Sequence, residues 1–169
     1  MEGSGTAPER ALAGAAEASV PYRVPPHNFE AEMALLGALL SNNRAYDRIS
    51  EFLLPEHFAD ARHGKIYDAI KRLIEMGQVA DPITLKNLFE SDGSLDDIGG
   101  SEYLARLAAS VVTIINTEDY GRTIFDRHLR RALIAIGEDM VNRAYAIDLD
   151  QPAVDQIEVA EADLYNIAT

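Results

Sequence analysis

From residue 29 onward, apolar side chains recur at steps of three and four, the spacing that puts them on one face of a 3.6-residue period. Phe29, Met33, Leu36 and Leu40 form one stripe with Leu35 and Leu39 beside it, which predicts a broad-faced, well-buried helix over residues 29–40. Glu30 and Glu32 fall in its first turn, where carboxylates face the positive helix end, and His27 is placed to cap it. Gly37 inside this helix costs about 1 kcal/mol against alanine, and it either marks a close helix crossing or is tolerated. Ser41-Asn42-Asn43 ends the element, and Tyr46, Ile49, Phe52 and Leu53 predict a restart over 45–54. After a turn at 55–58, Ile66, Ile70 and Leu73 predict a helix over about 62–76, with Gly77 as its C-terminal cap. Asp81-Pro82 is a strong start signal, and that helix carries Leu85, Leu88 and Phe89 to Ser91-Asp92-Gly93. Gly99-Gly100-Ser101 precedes a short helix through Tyr103, Leu104 and Leu107. Val111-Val112-Thr113-Ile114-Ile115 is strand-like but has no partner strand, so it reads as a buried connector.

The longest pattern begins at Asn116, a capping residue with Asp119 at capping-box spacing. Phe125, Leu129, Ala132, Leu133, Ile136, Met140 and Ala144 share one face, giving a rod of about 45 Å. The pattern breaks over 148–152, and Pro152 suits the first turn of a second helix bearing Ala153, Ile157, Ala160, Leu164 and Ile167. So short a turn folds the two helices back as an antiparallel hairpin. Ile124, Ile134, Val141 and Tyr145 lie off the main stripe and need a cover, either the rest of the chain or a second copy. The fold class is therefore all-α. Residues 1–24 form a disordered tail, 25–110 a five- or six-helix globule, 111–116 a connector, and 117–169 a hairpin used for dimerisation.

Composition narrows the function. A chain of 169 residues, 47% apolar, can bury one real core, and it has no cysteine for disulfides or thiolate metal sites. No apolar run approaches the roughly 18 residues of a membrane span, and no secretory signal opens the chain, which fits a cytoplasmic protein. A net charge of -13 argues against broad phosphate binding, though not against a partner with a basic face. The imbalance is local, because residues 148–169 carry six acidic side chains and no basic one.

Candidate chemistry is sparse. The phosphate-loop spacing is absent, and Gly99-Gly100-Ser101-Glu102 has neither its spacing nor its lysine. His57 and His63 are close but lack a third ligand, so they read as surface or capping histidines rather than a metal site. Arg122, Arg127, Arg130 and Arg131 make the sole basic patch, expected to pair with neighbouring carboxylates. Two alternatives stay open: a small all-helical ligand-binding protein, and a weak DNA-binding module using that patch.

The residues also carry a resemblance. Val24-Pro25-Pro26-His27-Asn28-Phe29-Glu30-Ala31-Glu32, Phe58-Ala59-Asp60, His63-Gly64-Lys65-Ile66-Tyr67, Asp81-Pro82-Ile83-Thr84-Leu85 and Ile98-Gly99-Gly100-Ser101-Glu102-Tyr103-Leu104-Ala105 resemble the N-terminal domain of the bacterial replicative DNA helicase. The resemblance covers nearly everything from Val24 onward and implies a noncatalytic collar domain. It implies hairpin dimers, a trimer of dimers in the ring, and docking of the C-terminal helicase-binding domain of primase. Loader proteins are a further implied partner; single-stranded DNA is implied only for the full-length protein. ATP and Mg would belong to an ATPase domain outside this chain, in a parent that is an ATP-dependent helicase, so no cofactor is expected here. Glu30 and Tyr103 match positions associated with partner communication. Phe125, Leu129, Leu133, Ile136, Met140, Ile157 and Leu164 become hairpin-interface candidates, and Tyr145, Ile147 and Leu149 tip-contact candidates. One departure is visible: relatives read Asn-Thr-Pro before the hairpin, whereas this chain reads Ser110-Val111-Val112-Thr113-Ile114-Ile115-Asn116.

Overall fold

The computed structural model describes residues 23–110 and 116–169, and the described residues are helical, with no strand among them. Six α-helices follow in order: α1 Phe29–Ser41, α2 Ala61–Glu75, α3 Pro82–Asp92, α4 Gly100–Ala109, α5 Thr117–Tyr145 and α6 Ala153–Ala168. Short 3-10 turns occupy Asn43–Arg48, Pro55–His57 and Asp96–Ile98. Residues 1–22 of the expected 1–24 tail and residues 111–115 of the expected 111–116 connector lie outside the described residues.

Local chemistry sets the helix ends. Asp81 Oδ1 accepts from the Ile83 and Thr84 amides at 2.9 and 2.8 Å, and Thr84 Oγ1 accepts from the Asp81 amide at 2.9 Å. That reciprocal box, with Pro82 where no donor is needed, starts α3; Gly93 at φ 78 ends it. Two expected caps differ. Asn28, not His27, caps α1 by accepting from the Ala31 amide at 2.9 Å, while His27 donates to the Pro25 carbonyl. Asn116 occupies the N-cap position of α5 without a side-chain cap bond.

The expected helix over 45–54 is instead the Asn43–Arg48 turn. Asn43 explains the break, because its amide nitrogen donates to both the Leu39 and Ala80 carbonyls, and its oxygen accepts from the Ala80 amide. A side chain that supplies the backbone bonds of two segments competes with helix continuation. The globule accordingly has four α-helices, fewer than the sequence pattern suggests.

Leu35, Leu36 and Leu39 of α1, Ile66 and Ile70 of α2, Leu85 of α3, Leu104 and Leu107 of α4 are all fully buried in one core. Burying each such side chain is worth about 1.5–3 kcal/mol. The base of α5 belongs to this core through Ile124, 1% exposed. Gly121 permits the approach: a β-carbon there would sit 2.9 Å from Ile49 Cγ2 and 3.2 Å from Phe52 Cζ. Arg131 fastens the next stretch, donating from its two terminal nitrogens to the Pro26 carbonyl at 2.7 Å and the His57 carbonyl at 2.9 Å. Beyond that point, among the described residues, α5 leaves the globule and packs against α6.

Candidate functional site

The single stripe expected along α5 divides among three surroundings. Phe125 and Leu129 are half-buried beside the globule, where they line a cleft of about 520 Å³ with Phe52, His57, His128 and Ile167. Ile136 and Met140 face α6 across Gln156, Val159, Ala160 and Asp163. Leu133 faces solvent, 48% exposed. Of the off-stripe residues, Ile124 is covered by the globule, whereas Ile134, Val141 and Tyr145 are exposed.

On α6 the expected inward stripe is shifted. Ala160 and Ile167 are half-buried as expected, but Ile157 and Leu164 are 59% and 42% exposed, and their places are taken by Gln156, Val159 and Asp163. Small and polar side chains on this seam let the two helices meet, and the larger apolar ones turn outward.

Helical geometry shows that the outward residues of both helices share one side. Measured from the seam residue Ile136, Gly137, Val141 and Ile134 lie roughly 100, 140 and 160° round the α5 axis. Measured from the seam residue Gln156, Leu164, Ile157 and Val154 lie roughly 80, 100 and 160° round the α6 axis. In an antiparallel pair, equal rotations in each helix's own direction point to the same face. The hairpin therefore presents one largely apolar flank built from both helices, with exposed Glu161 of α6 on the same side at roughly 140°. A groove of about 550 Å³ runs along it over Ile134, Gly137 and Val141, edged by Glu138 and Asn142. Tyr145, Ile147 and Leu149 extend it over the tip at 85%, 93% and 95% exposure. Isolated exposed apolar residues are ordinary, but a contiguous flank on a projecting rod is the mark of an interaction surface.

A second constellation lies inside the globule. Glu32, 1% exposed, accepts from the Ala59 amide at 2.9 Å, the Asp60 amide at 3.2 Å and His63 Nδ1 at 2.8 Å. With its Nδ1 proton committed to Glu32, the buried His63 ring places Nε2 2.5 Å from the Tyr103 hydroxyl. Burial pushes the Tyr103 phenol above its usual value, against the pull of Arg62, so it stays protonated and donates. The Arg62 and Arg106 guanidiniums flank its ring at 4.9 and 5.4 Å from the centroid. This chain of bonds ties α1, the 59–60 turn, α2 and α4 together. Glu30, by contrast, is exposed on α1.

The surface reading of His57 and His63 is corrected, because both are buried and they do not converge, whereas the capping reading holds for His57 at the start of the Pro55–His57 turn. His63 faces Glu32, while His57 accepts from the Leu54 amide and lies 4.4 Å from the His128 ring. Burial, the neighbouring His128 and then Arg131 lower His57 to about 4 despite the opposing pull of Glu56, so it is neutral at pH 7. The register held a signal for Glu32 and His63. Glu32 precedes Leu35, Leu36 and Leu39 at three, four and seven residues, and His63 stands in the same relation to Ile66, Tyr67 and Ile70.

The basic patch is partly as expected. Arg122 pairs with Glu118 at 3.0 Å, and Arg127 and Arg130 share Asp126 at 2.6 and 2.8 Å. Arg131 departs from the expected carboxylate pairing, because its guanidinium is spent on two backbone carbonyls. No helix among the described residues is long and apolar enough to cross a membrane.

Comparison with known proteins adds matches of three kinds: a family model, two curated relatives and two solved structures. A family model described as DnaB-like helicase N-terminal domain matches residues 24–126. The chain is 45% identical over 162 residues to the replicative DNA helicase DnaB of Rickettsia felis, covering 95% of this chain and 33% of that relative. A 48% match to the DnaB of Rickettsia typhi covers 89% of this chain and 30% of the relative. The chain thus spans about a third of the length of the curated relatives it matches. The crystal structure of the N-terminal domain of DnaB helicase from Mycobacterium tuberculosis superposes with a TM-score of 0.77 at 31% identity, covering 85% of this chain and 99% of that one. A second solved structure, a DnaB-like replicative helicase described with its interactions with primase, gives a TM-score of 0.67 at 27% identity. It covers 83% of this chain and 31% of that one.

Proposed function

We propose, from the premise that this chain belongs to the DnaB-like helicase N-terminal domain family, that it serves as the assembly and docking module of a replicative helicase. It corresponds to the noncatalytic N-terminal domain. The observation that carries the reading is the apolar flank shared by α5 and α6, which the globule leaves uncovered. Hairpins of two copies cover one another's flanks, using Leu133, Ile157 and Leu164 from the candidate set, and such dimers assemble as a trimer of dimers in the full ring.

Primase is the docking partner in this reading, through its C-terminal helicase-binding domain. Support comes from the solved relative described with primase and from the exposed tip residues Tyr145, Ile147 and Leu149. Exposed Glu30 serves partner communication directly; buried Tyr103 does so through the His63–Glu32 bonds that hold α1 against α4. Helicase activity, ATP and Mg belong to the remaining two-thirds of the full-length protein, as do contacts to single-stranded DNA; loader proteins are a further partner of the collar, and the protein acts in the cytoplasm.

Light scattering over a concentration series, with and without the primase C-terminal domain, tests this. The expected result is a monomer–dimer equilibrium and a complex with primase. A strict monomer at high concentration with no primase binding refutes it.

A further inference from the structure

We infer that Gly137 is the point at which the hairpins of two copies cross, and that an antiparallel register through it sets Arg127 and Arg130 of one copy against the acidic tip of the other. This rests on the proposed hairpin self-association and specifies its geometry.

Gly137 lies at the centre of the exposed groove, between Ile134 and Val141, and a β-carbon there would meet nothing within 4 Å. Its own fold gives no steric reason for glycine in mid-helix, where glycine costs helix stability against alanine. A missing side chain on a largely apolar flank lets another backbone come close. A symmetric antiparallel crossing there pairs Ile134 of one copy with Val141 of the other.

The same register sorts the charges. Residues 133–169 carry eight carboxylates and one arginine, Arg143, which is already paired with Asp139 at 2.9 Å. Two such rods laid side by side in parallel would repel. With Gly137 on the two-fold axis, Arg130 stands about 10 Å and Arg127 about 15 Å from it along α5. The same distances on the other copy reach Ala144, beside Tyr145, and Ile147, in the turn bearing Asp148 and Asp150. Arg127 and Arg130 share the single carboxylate of Asp126, so they retain positive charge to offer. Asp148 and Asp150 have no basic residue beside them in sequence.

Gly137→Leu tests the crossing because its two effects have opposite signs. The monomer gains a better helix former with free space around it, so its melting temperature at low concentration holds or rises. Its self-association, measured by sedimentation equilibrium, weakens about tenfold or more. Association that is unchanged or tighter in this variant, while the parent dimerises, overturns the crossing but leaves the hairpin dimer standing. A parent that never dimerises overturns both. The register is read by Arg127→Glu, expected to weaken the dimer, combined with Asp148→Lys and Asp150→Lys, expected to restore it. Failure of the combined variant to regain association, with helicity unchanged by circular dichroism, overturns the register.

Discussion

Replacing Glu32 with leucine removes the acceptor for three donors in the middle of the globule. Its carboxylate takes bonds from the Ala59 and Asp60 amides and from His63 Nδ1, at 2.9, 3.2 and 2.8 Å, and is 1% exposed. Leucine is close in size, so the packing loss is small and the polar loss dominates. Each stranded buried donor costs about 1–3 kcal/mol, offset in part because the carboxylate no longer has to be desolvated. The expected destabilisation is about 3–5 kcal/mol, a large share of a stability that for most domains is only about 5–15 kcal/mol. Glu32→Gln should fall between leucine and the parent at about 2 kcal/mol, since one amide oxygen still accepts while the NH₂ opposes a donor. Tyr103→Phe keeps the ring and strands only the His63 Nε2 acceptor, for about 1–2 kcal/mol. Urea unfolding followed by circular dichroism measures all three, at one fixed protein concentration because association adds to apparent stability. A Glu32→Leu protein within about 0.5 kcal/mol of the parent would refute the view that this buried network holds the four elements together.

Three further outcomes follow from the globule–hairpin junction. His57 is lowered from 6.5 to about 4 by burial first, so the unfolded chain binds its proton more readily. Its contribution is complete above pH 6.5 and is lost as pH falls towards 4, about 1–3 kcal/mol in all, and a His57→Gln variant should flatten that part of the stability–pH curve. Gly121→Leu should destabilise by about 1–3 kcal/mol despite its better helix propensity, because Ile49 and Phe52 occupy the space; unchanged urea midpoints would contradict the contact. Arg131→Ala should cost about 2–4 kcal/mol, and Arg131→Lys should recover less than half, since one ammonium group does not span the Pro26 and His57 carbonyls; amide exchange at the base of α5 reports the loosening.

The helices and their ends were legible residue by residue. Asp81-Pro82, Gly77, Gly93 and Pro152 act on the backbone within a turn of themselves, so their effect needs no distant partner. The hairpin was legible too, because an apolar period interrupted by a few turn residues and a proline leaves the chain little choice but to reverse. Only the tertiary structure decided which way each helix faces. Periodicity fixes how residues are rotated relative to one another on one helix, but not how that helix is rotated against its neighbours. That is why Ile157 and Leu164 point outward while Gln156 and Asp163 line the seam, and why Ile124 joins the core while Ile134 does not. The same limit hid the partners of Glu32 and His63, which lie 27 to 40 residues away in the chain. A buried charge becomes tolerable only when such distant donors are brought to it, and that meeting is decided by the packing of whole helices.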